Sequence, residues 1–243
     1  MTINSMSTAY ALEVEQIEKT YGNFRVLKEI SMQVQTGAFL TLFGPNGAGK
    51  TTLLKVAATL AKPAAGTIRI CGFDVQEQPE EARQRIGFLS HTTYLYKDLS
   101  PRQNLKFFAK IYSVDDSDSR IDELLKKLGL EHRKNDPVRS FSRGLQQRLG
   151  LARVILHSPK VLMLDEPYTG LDANAVSILN GILDEAISEG RTVIMTTHDI
   201  ELGLRSASHV EIIDRGRIVH SSKANDPAVR EAYNRYLHTG GQA

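Results

Sequence analysis

Phe39-Leu40-Thr41-Leu42-Phe43 runs without a break into Gly44-Pro45-Asn46-Gly47-Ala48-Gly49-Lys50-Thr51-Thr52, and the two halves ask for different backbones. The first five residues, apolar but for one threonine, read as a short strand buried on both faces. The second half spaces a glycine four residues ahead of Gly-Lys-Thr and leads into a helix-like stretch, which is the P-loop pattern in its strand–loop–helix setting. Its glycines let the chain wrap closely enough for backbone N–H groups to face phosphates. The start of the following helix adds a partial positive charge. Gly44 through Thr52 are therefore the candidate nucleotide-binding residues. The Lys50 ammonium is set against the β- and γ-phosphates, and the Thr51 hydroxyl against Mg2+.

Two further apolar runs end in residues able to do chemistry. Val161-Leu162-Met163-Leu164 passes directly into Asp165-Glu166-Pro167, and Val193-Ile194-Met195-Thr196-Thr197 into His198. An acid after a strand is ordinarily a cap or turn former. Beside a P-loop the pair reads as the Walker B carboxylates. Asp165 then holds Mg2+ from a strand expected beside the P-loop strand, and Glu166 orients or deprotonates the attacking water. Pro167 cannot extend a central ladder, so the strand must stop there. His198, at a third strand end, is placed to contact a γ-phosphate and help position the water. A βαβ rhythm of this kind predicts a doubly wound parallel sheet, whose ligands gather at the carboxyl ends of the strands.

Away from these runs the pattern changes. Alternation at Leu12–Ile17, Ile30–Val34 and Thr67–Ile70 predicts an antiparallel sheet, and apolar residues recur at helical spacing in Leu105-Phe108-Ala109-Tyr112 and Ile121-Leu124-Leu125-Leu128. Gly129 is suited to ending the second of these helices. A closing strand is predicted at Arg217–His220 and a last helix from Asp226 to Leu237. The chain accordingly divides into a nucleotide-binding α/β core with an antiparallel β subdomain, 9–91 and 158–243, and an inserted helical subdomain, 92–157.

Composition narrows the partners. At 243 residues with a formal net charge of +2, and basic and acidic residues interspersed, the chain has no concentrated basic face to suggest nucleic acid. No apolar run reaches the ~18 residues that cross a bilayer, and Met1–Tyr10 lacks the basic start and apolar stretch of a secretory signal. Cys71 is the only cysteine, which rules out an intrachain disulfide and favours a small buried packing role. A cytoplasmic protein that serves a membrane only by docking is expected.

With these motifs in view the chain resembles the ABC (ATP-binding cassette) ATPases, P-loop NTPases with a RecA-like parallel core, over nearly its whole length. Phe141-Ser142-Arg143-Gly144-Leu145-Gln146-Gln147-Arg148 looks like the family's LSGGQ signature and its helix. Gly170-Leu171-Asp172 looks like the D-loop, Thr197-His198-Asp199 like the switch-histidine loop, and Tyr21 in Lys19-Thr20-Tyr21-Gly22 like the aromatic that stacks on adenine. The resemblance implies ATP and Mg2+ as ligands and integral membrane permease subunits as partners. It also implies a head-to-tail dimer with a second copy or paralogue, in which Ser142, Arg143, Gly144, Leu145 and Gln146 face the partner's ATP. A helix opening at Ser142 would present its positive end to that phosphate.

Two motifs depart from the family pattern. His91 stands where a glutamine is usual, which puts direct metal contact in doubt and adds pH sensitivity. Arg143 and Leu145 replace the first glycine and the glutamine of LSGGQ. These variants, with Ser90–Leu99 and Asn104–Ala109, resemble haem-exporter ATPases of the cytochrome c maturation type. ABC-2-type exporters of drugs, lipids or polysaccharides use similar motifs. A soluble ABC ATPase of repair or translation is disfavoured by the single compact cassette, and a degenerate cassette by intact Lys50, Asp165, Glu166 and His198. No paired histidine motif offers a haem site, so His132, His157, His209, His220 and His238 are expected to be ordinary surface or loop residues. Tyr94, Leu95, Tyr96 and Leu99 either dock the membrane subunits or fill the helical core.

Overall fold

The computed structural model describes residues 9–90 and 92–238, and the side chains of Leu237 and His238 are not among those described. His91 and Met1–Thr8 lie outside the described residues.

A four-stranded antiparallel sheet is built from β1 (Tyr10–Tyr21), β2 (Phe24–Gln35), β4 (Ala65–Ile70) and the short β5 (Phe73–Asp74), in the order β2-β1-β4-β5. The first two strands run about twice as long as the alternation predicts. Their outer halves carry Glu18, Lys19 and Arg25, which hides the period there. The central sheet runs β10 (Arg217–Lys223), β9 (His209–Asp214), β3 (Phe39–Phe43), β8 (Thr192–Thr196), β7 (Val161–Asp165), β6 (Ile86–Leu89). It is parallel from β9 to β6, with β10 antiparallel on its edge.

This order corrects one expectation. The Asp165 strand is not beside the P-loop strand; β8 lies between them, so Leu42 and Asp165 each pair with Thr196. The strands β6 and β9 were not foreseen. The first is four residues long, and the second is interrupted by Glu211 in what would otherwise be an apolar run.

Every residue of β3, β7 and β8 is buried, as central parallel strands require. One face of the sheet packs against α1 (Lys50–Ala57) and the antiparallel sheet in a core containing Leu42, Leu54, Ile68 and Met163. The other face joins Leu162, Leu164 and Val193 to the helices α3 (Pro101–Ile111), α4 (Ser117–Lys127), α5 (Arg143–Ile155) and α6 (Ala173–Ser188). Ser100 and Gln103 close a reciprocal capping box at the start of α3. After α2 (Pro79–Gln84) and the five-residue α7 (Ile200–Leu204), α8 (Ala228–His238) ends the described chain, and its Val229 and Ala232 cover Phe43, Val210 and Ile212.

Two residues differ from their expected roles. Cys71 is only half-buried, held in a left-handed turn at φ 49° between β4 and β5. His157 is no free surface histidine. Its ring stacks on Tyr112 at 4.0 Å, its Nε2 lies 3.1 Å from the Ile86 carbonyl, and burial lowers its pKa to about 4.

Glu211 faces the core side of β9 at 7% exposure, with Oε2 unpartnered and the Ser221 hydroxyl 3.5 Å from Oε1. Burial raises its pKa from 4.5 to about 7. The folded chain thus holds a proton that the unfolded chain releases. The stability this gives is complete below pH 4.5 and is lost as pH climbs to about 7, a cost on the order of 3 kcal/mol. Glu211→Gln cannot ionise, so its melting temperature is expected to gain on wild type between pH 5 and pH 8. Melting curves that shift in parallel for the two proteins across that range would show that Glu211 stays charged.

Candidate active site

The cradle begins where β3 stops. A Cβ on Gly44 would sit 2.2 Å from the Ile213 carbonyl oxygen, so only glycine lets the loop leave the sheet here. Gly49, at φ 112°, turns the chain into α1 where a Cβ would meet Leu27 at 2.9 Å. The loop is braced from outside by the Gly216 N–H, which donates to the Ala48 carbonyl at 2.9 Å.

Lys50 is 7% exposed and folds back over the loop, donating to the carbonyls of Gly44 at 2.6 Å and Pro45 at 3.3 Å. Burial lowers its pKa, while the neighbouring Glu166 and Asp165 carboxylates work in the opposite direction. Its Nζ lies 3.9 Å from Glu166 Oε1. Asn46 and Gly47 are exposed at the loop tip, and Thr52 is half-buried on α1.

Two acids sit opposite. Thr51 Oγ1 is 2.9 Å from both oxygens of Asp165, a carboxylate only 1% exposed that also accepts from Thr196 Oγ1 at 2.9 Å. Thr196 further binds the Glu166 N–H, through its carbonyl at 3.1 Å and its hydroxyl at 3.0 Å. Glu166 is thereby held at φ 50°, a left-handed conformation that non-glycine residues seldom adopt and that costs on the order of 1 kcal/mol or more. The kink turns its side chain to His198, whose Nδ1 is 2.8 Å from Oε2. The His198 carbonyl accepts from the Tyr233 hydroxyl at 2.5 Å.

Lys50, Thr51, Asp165, Glu166 and His198 therefore form one connected set at the carboxyl end of the sheet. A hydroxyl and a carboxylate meeting over an oxygen-only site suit Mg2+, which prefers hard oxygen donors and takes its remaining ligands from phosphates and water. Among the described residues no cluster of three or more His, Cys, Asp or Glu forms an all-protein metal cage. Mg2+ does not need one in phosphate sites. Thr196 and Tyr233 position this set and were not foreseen. A polar residue closing an otherwise apolar strand is a visible signal for Thr196; nothing local marks Tyr233.

The remaining candidates lie apart. Ser142 is exposed and N-caps α5, accepting from the Leu145 N–H at 3.4 Å, while Gln146 Nε2 donates back to the Phe141 carbonyl. Gly144 and Leu145 are half-buried on the first turn, and the Arg143 side chain lies against Gly170. Asp172 N-caps α6 through the Ala175 N–H at 2.7 Å. Among the described residues, no hydrogen bond joins the Ser142 turn to the cradle of its own chain. Tyr21 is 50% exposed at the end of the β1–β2 hairpin, with the Lys19 ammonium 4.8 Å from its ring centroid. That hairpin continues into Leu27, which touches the cradle. Of the four docking candidates, Tyr94 and Tyr96 are about half exposed, Leu99 is half-buried, and Leu95 packs on the helical core.

Residues 27–169 match the family described as ABC transporter. The Nod factor export ATP-binding protein I of Cupriavidus pinatubonensis is 35% identical over 217 residues, covering 88% of this chain and 67% of that protein. The daunorubicin resistance ATP-binding protein DrrA3 of Streptomyces coeruleorubidus is 35% identical, covering 89% of this chain and 69% of its own. A solved dimeric structure, the post-hydrolysis state of the ATP-binding cassette MJ0796 bound to ADP and Pi, superposes with a TM-score of 0.82. Its identity is 25%, and the match covers 88% of this chain and 99% of that one.

Proposed function

The chain belongs to the ABC transporter family, and from that membership we propose that it is the ATP-hydrolysing subunit of an exporter. The observation that carries this reading is the joining of Lys50, Thr51, Asp165, Glu166 and His198 at one end of the sheet. In the proposed reaction Lys50 neutralises the β- and γ-phosphates, and Thr51 and Asp165 would hold Mg2+, which would supply further charge neutralisation at those phosphates. Glu166 takes the proton of the attacking water, and His198 orients Glu166 and contacts the γ-phosphate. Tyr21 stacks on the adenine.

Among the described residues, no hydrogen bond links residues 142–146 with the cradle of their own chain. This supports their facing the ATP of a second copy or paralogue, with Asp172 at the seam. The terminal phosphate then bridges two subunits, and its loss releases them. Integral membrane permease subunits take up that motion. The proposed place of the chain is beside those subunits at the cytoplasmic face; no described helix is long and apolar enough to cross a membrane.

For the cargo, the names of the relatives, Nod factor export and daunorubicin resistance, favour a general exporter of the ABC-2 type. Haem export is a second reading, favoured by the Phe141–Leu149 and Ser90–Leu99 variants. Purification of the tagged chain from its own membranes is expected to bring down integral membrane subunits, and the solute whose export they restore settles the cargo. Recovery with ribosomes or DNA instead overturns the transport reading.

A further inference from the structure

Three stretches of backbone meet behind the phosphate cradle, and glycines let them approach. β9 and β10 are joined by the two-residue turn Arg215-Gly216, with φ of 46° and 80°. Positive φ at both positions gives a hairpin turn whose twist matches its strands. A Cβ on Gly216 would lie 2.2 Å from the Val26 carbonyl oxygen of β2. The same oxygen is 3.3 Å from the place a Cβ on Gly49 would take. One carbonyl of β2 is thus wedged between a glycine of the cradle and a glycine of the turn.

Gly216 also bonds in both directions. Its N–H donates to the Ala48 carbonyl of the cradle, and its own carbonyl accepts from the Lys28 N–H of β2, each at 2.9 Å. β2 is an edge of the antiparallel sheet and β10 an edge of the central one, so this residue joins the two sheets edge to edge. The two sides are held unequally. On the cradle side the turn follows β9, whose ladder with β3 pairs Ile212 with Phe43, the residue before the loop. On the β2 side it is held by the Lys28 bond and by the exposed Arg217, whose Nη1 lies 3.3 Å from Glu29 Oε2 and 3.4 Å from the Lys28 carbonyl. Exposed ion pairs hold little. A Cβ at position 216 meets backbone that cannot swing away, so β2 is the side that yields. That strand begins at Phe24, the cross-strand partner of Tyr21.

We propose that Gly216 is a positioning residue for the nucleotide: it fixes the hairpin of Tyr21 against the cradle, so that base and phosphates meet one rigid frame. This role rests on the reading of Gly44–Thr52 as the phosphate site and of Tyr21 as the base platform, and adds what keeps the two in register. A hairpin held in place beforehand gives its full stacking contribution, whereas a loose one loses part of it to ordering on binding.

The test titrates the purified full chain with ADP and with pyrophosphate, both in Mg2+, by calorimetry. In the otherwise wild-type chain, Tyr21→Ala is expected to lower ADP affinity about 10-fold. In the Gly216→Ala background the same substitution is expected to cost no more than about 2-fold, with pyrophosphate affinity within about 2-fold of wild type. Lys28→Pro breaks the same bond from the other end, removing an N–H already turned to Gly216, and is expected to uncouple Tyr21 in the same way even if Gly216→Ala folds poorly. A merely structural role for Gly216 would lower the melting temperature and leave the cost of Tyr21→Ala unchanged.

An equal cost of Tyr21→Ala in the wild-type, Gly216→Ala and Lys28→Pro backgrounds would overturn the proposal and leave the nucleotide reading standing. Uncoupling by Arg217→Ala alone would assign the link to the surface ion pair and overturn it too. Full ADP affinity of Tyr21→Ala in the otherwise wild-type chain would fail the base reading itself, and the proposal with it.

Discussion

Glu166→Gln is expected to slow ATP turnover by about 10²–10⁴-fold while leaving ATP affinity unchanged, because it removes a proton acceptor and no phosphate contact. Glutamine keeps the shape of the side chain and its hydrogen bond to His198, whose ring can change tautomer to suit. The Thr196 contacts that hold the kinked backbone at position 166 involve only main-chain atoms of that residue and survive the exchange. With hydrolysis blocked, the terminal phosphate stays in place, so the variant is expected to elute as a dimer with ATP and as a monomer with ADP. Equal turnover in the variant and wild type would remove Glu166 from the reaction.

Lys50→Ala is expected to weaken ATP binding by about 30-fold or more, since it strips a buried charge from the phosphate's main partner. That ammonium donates to the Gly44 and Pro45 carbonyls and lies 3.9 Å from Glu166. Phosphate oxygens would displace the weaker of these contacts. Removing the side chain also takes a positive charge away from the Asp165 and Glu166 carboxylates, so the effect on binding is separated from folding by the melting temperature of the free variant. Titration with a fluorescent ATP analogue measures the loss. Unchanged affinity in a folded variant would show that phosphates do not bind at this loop.

Much of this site was legible in the sequence because its parts are local. A glycine spacing, a lysine and a threonine within nine residues define a loop that needs no distant contact to be recognised, and the structure places Gly44–Thr52 at the end of β3. The acids and His198 were legible for a related reason: each follows an apolar run too continuous to be anything but a central strand.

What escaped the sequence depends on neighbours remote in the chain. The intervening position of β8 is a fact of strand order, which hydrophobic pattern does not encode, and it turns Thr196 from the end of a strand into the clamp between Asp165 and Glu166. Tyr233 reaches the His198 carbonyl from the last helix, 35 residues on. β9 was hidden by Glu211, a charge whose burial no local pattern announces.

A crystal structure of the Glu166→Gln variant with ATP and Mg2+ tests the assignment most directly. The terminal phosphate is expected within about 3 Å of Lys50 Nζ and against His198, with Mg2+ on Thr51 and the Ser142 turn of a second copy closing the far side. A terminal phosphate bound away from this junction, or two copies meeting through other faces with the cradle left open, would contradict it.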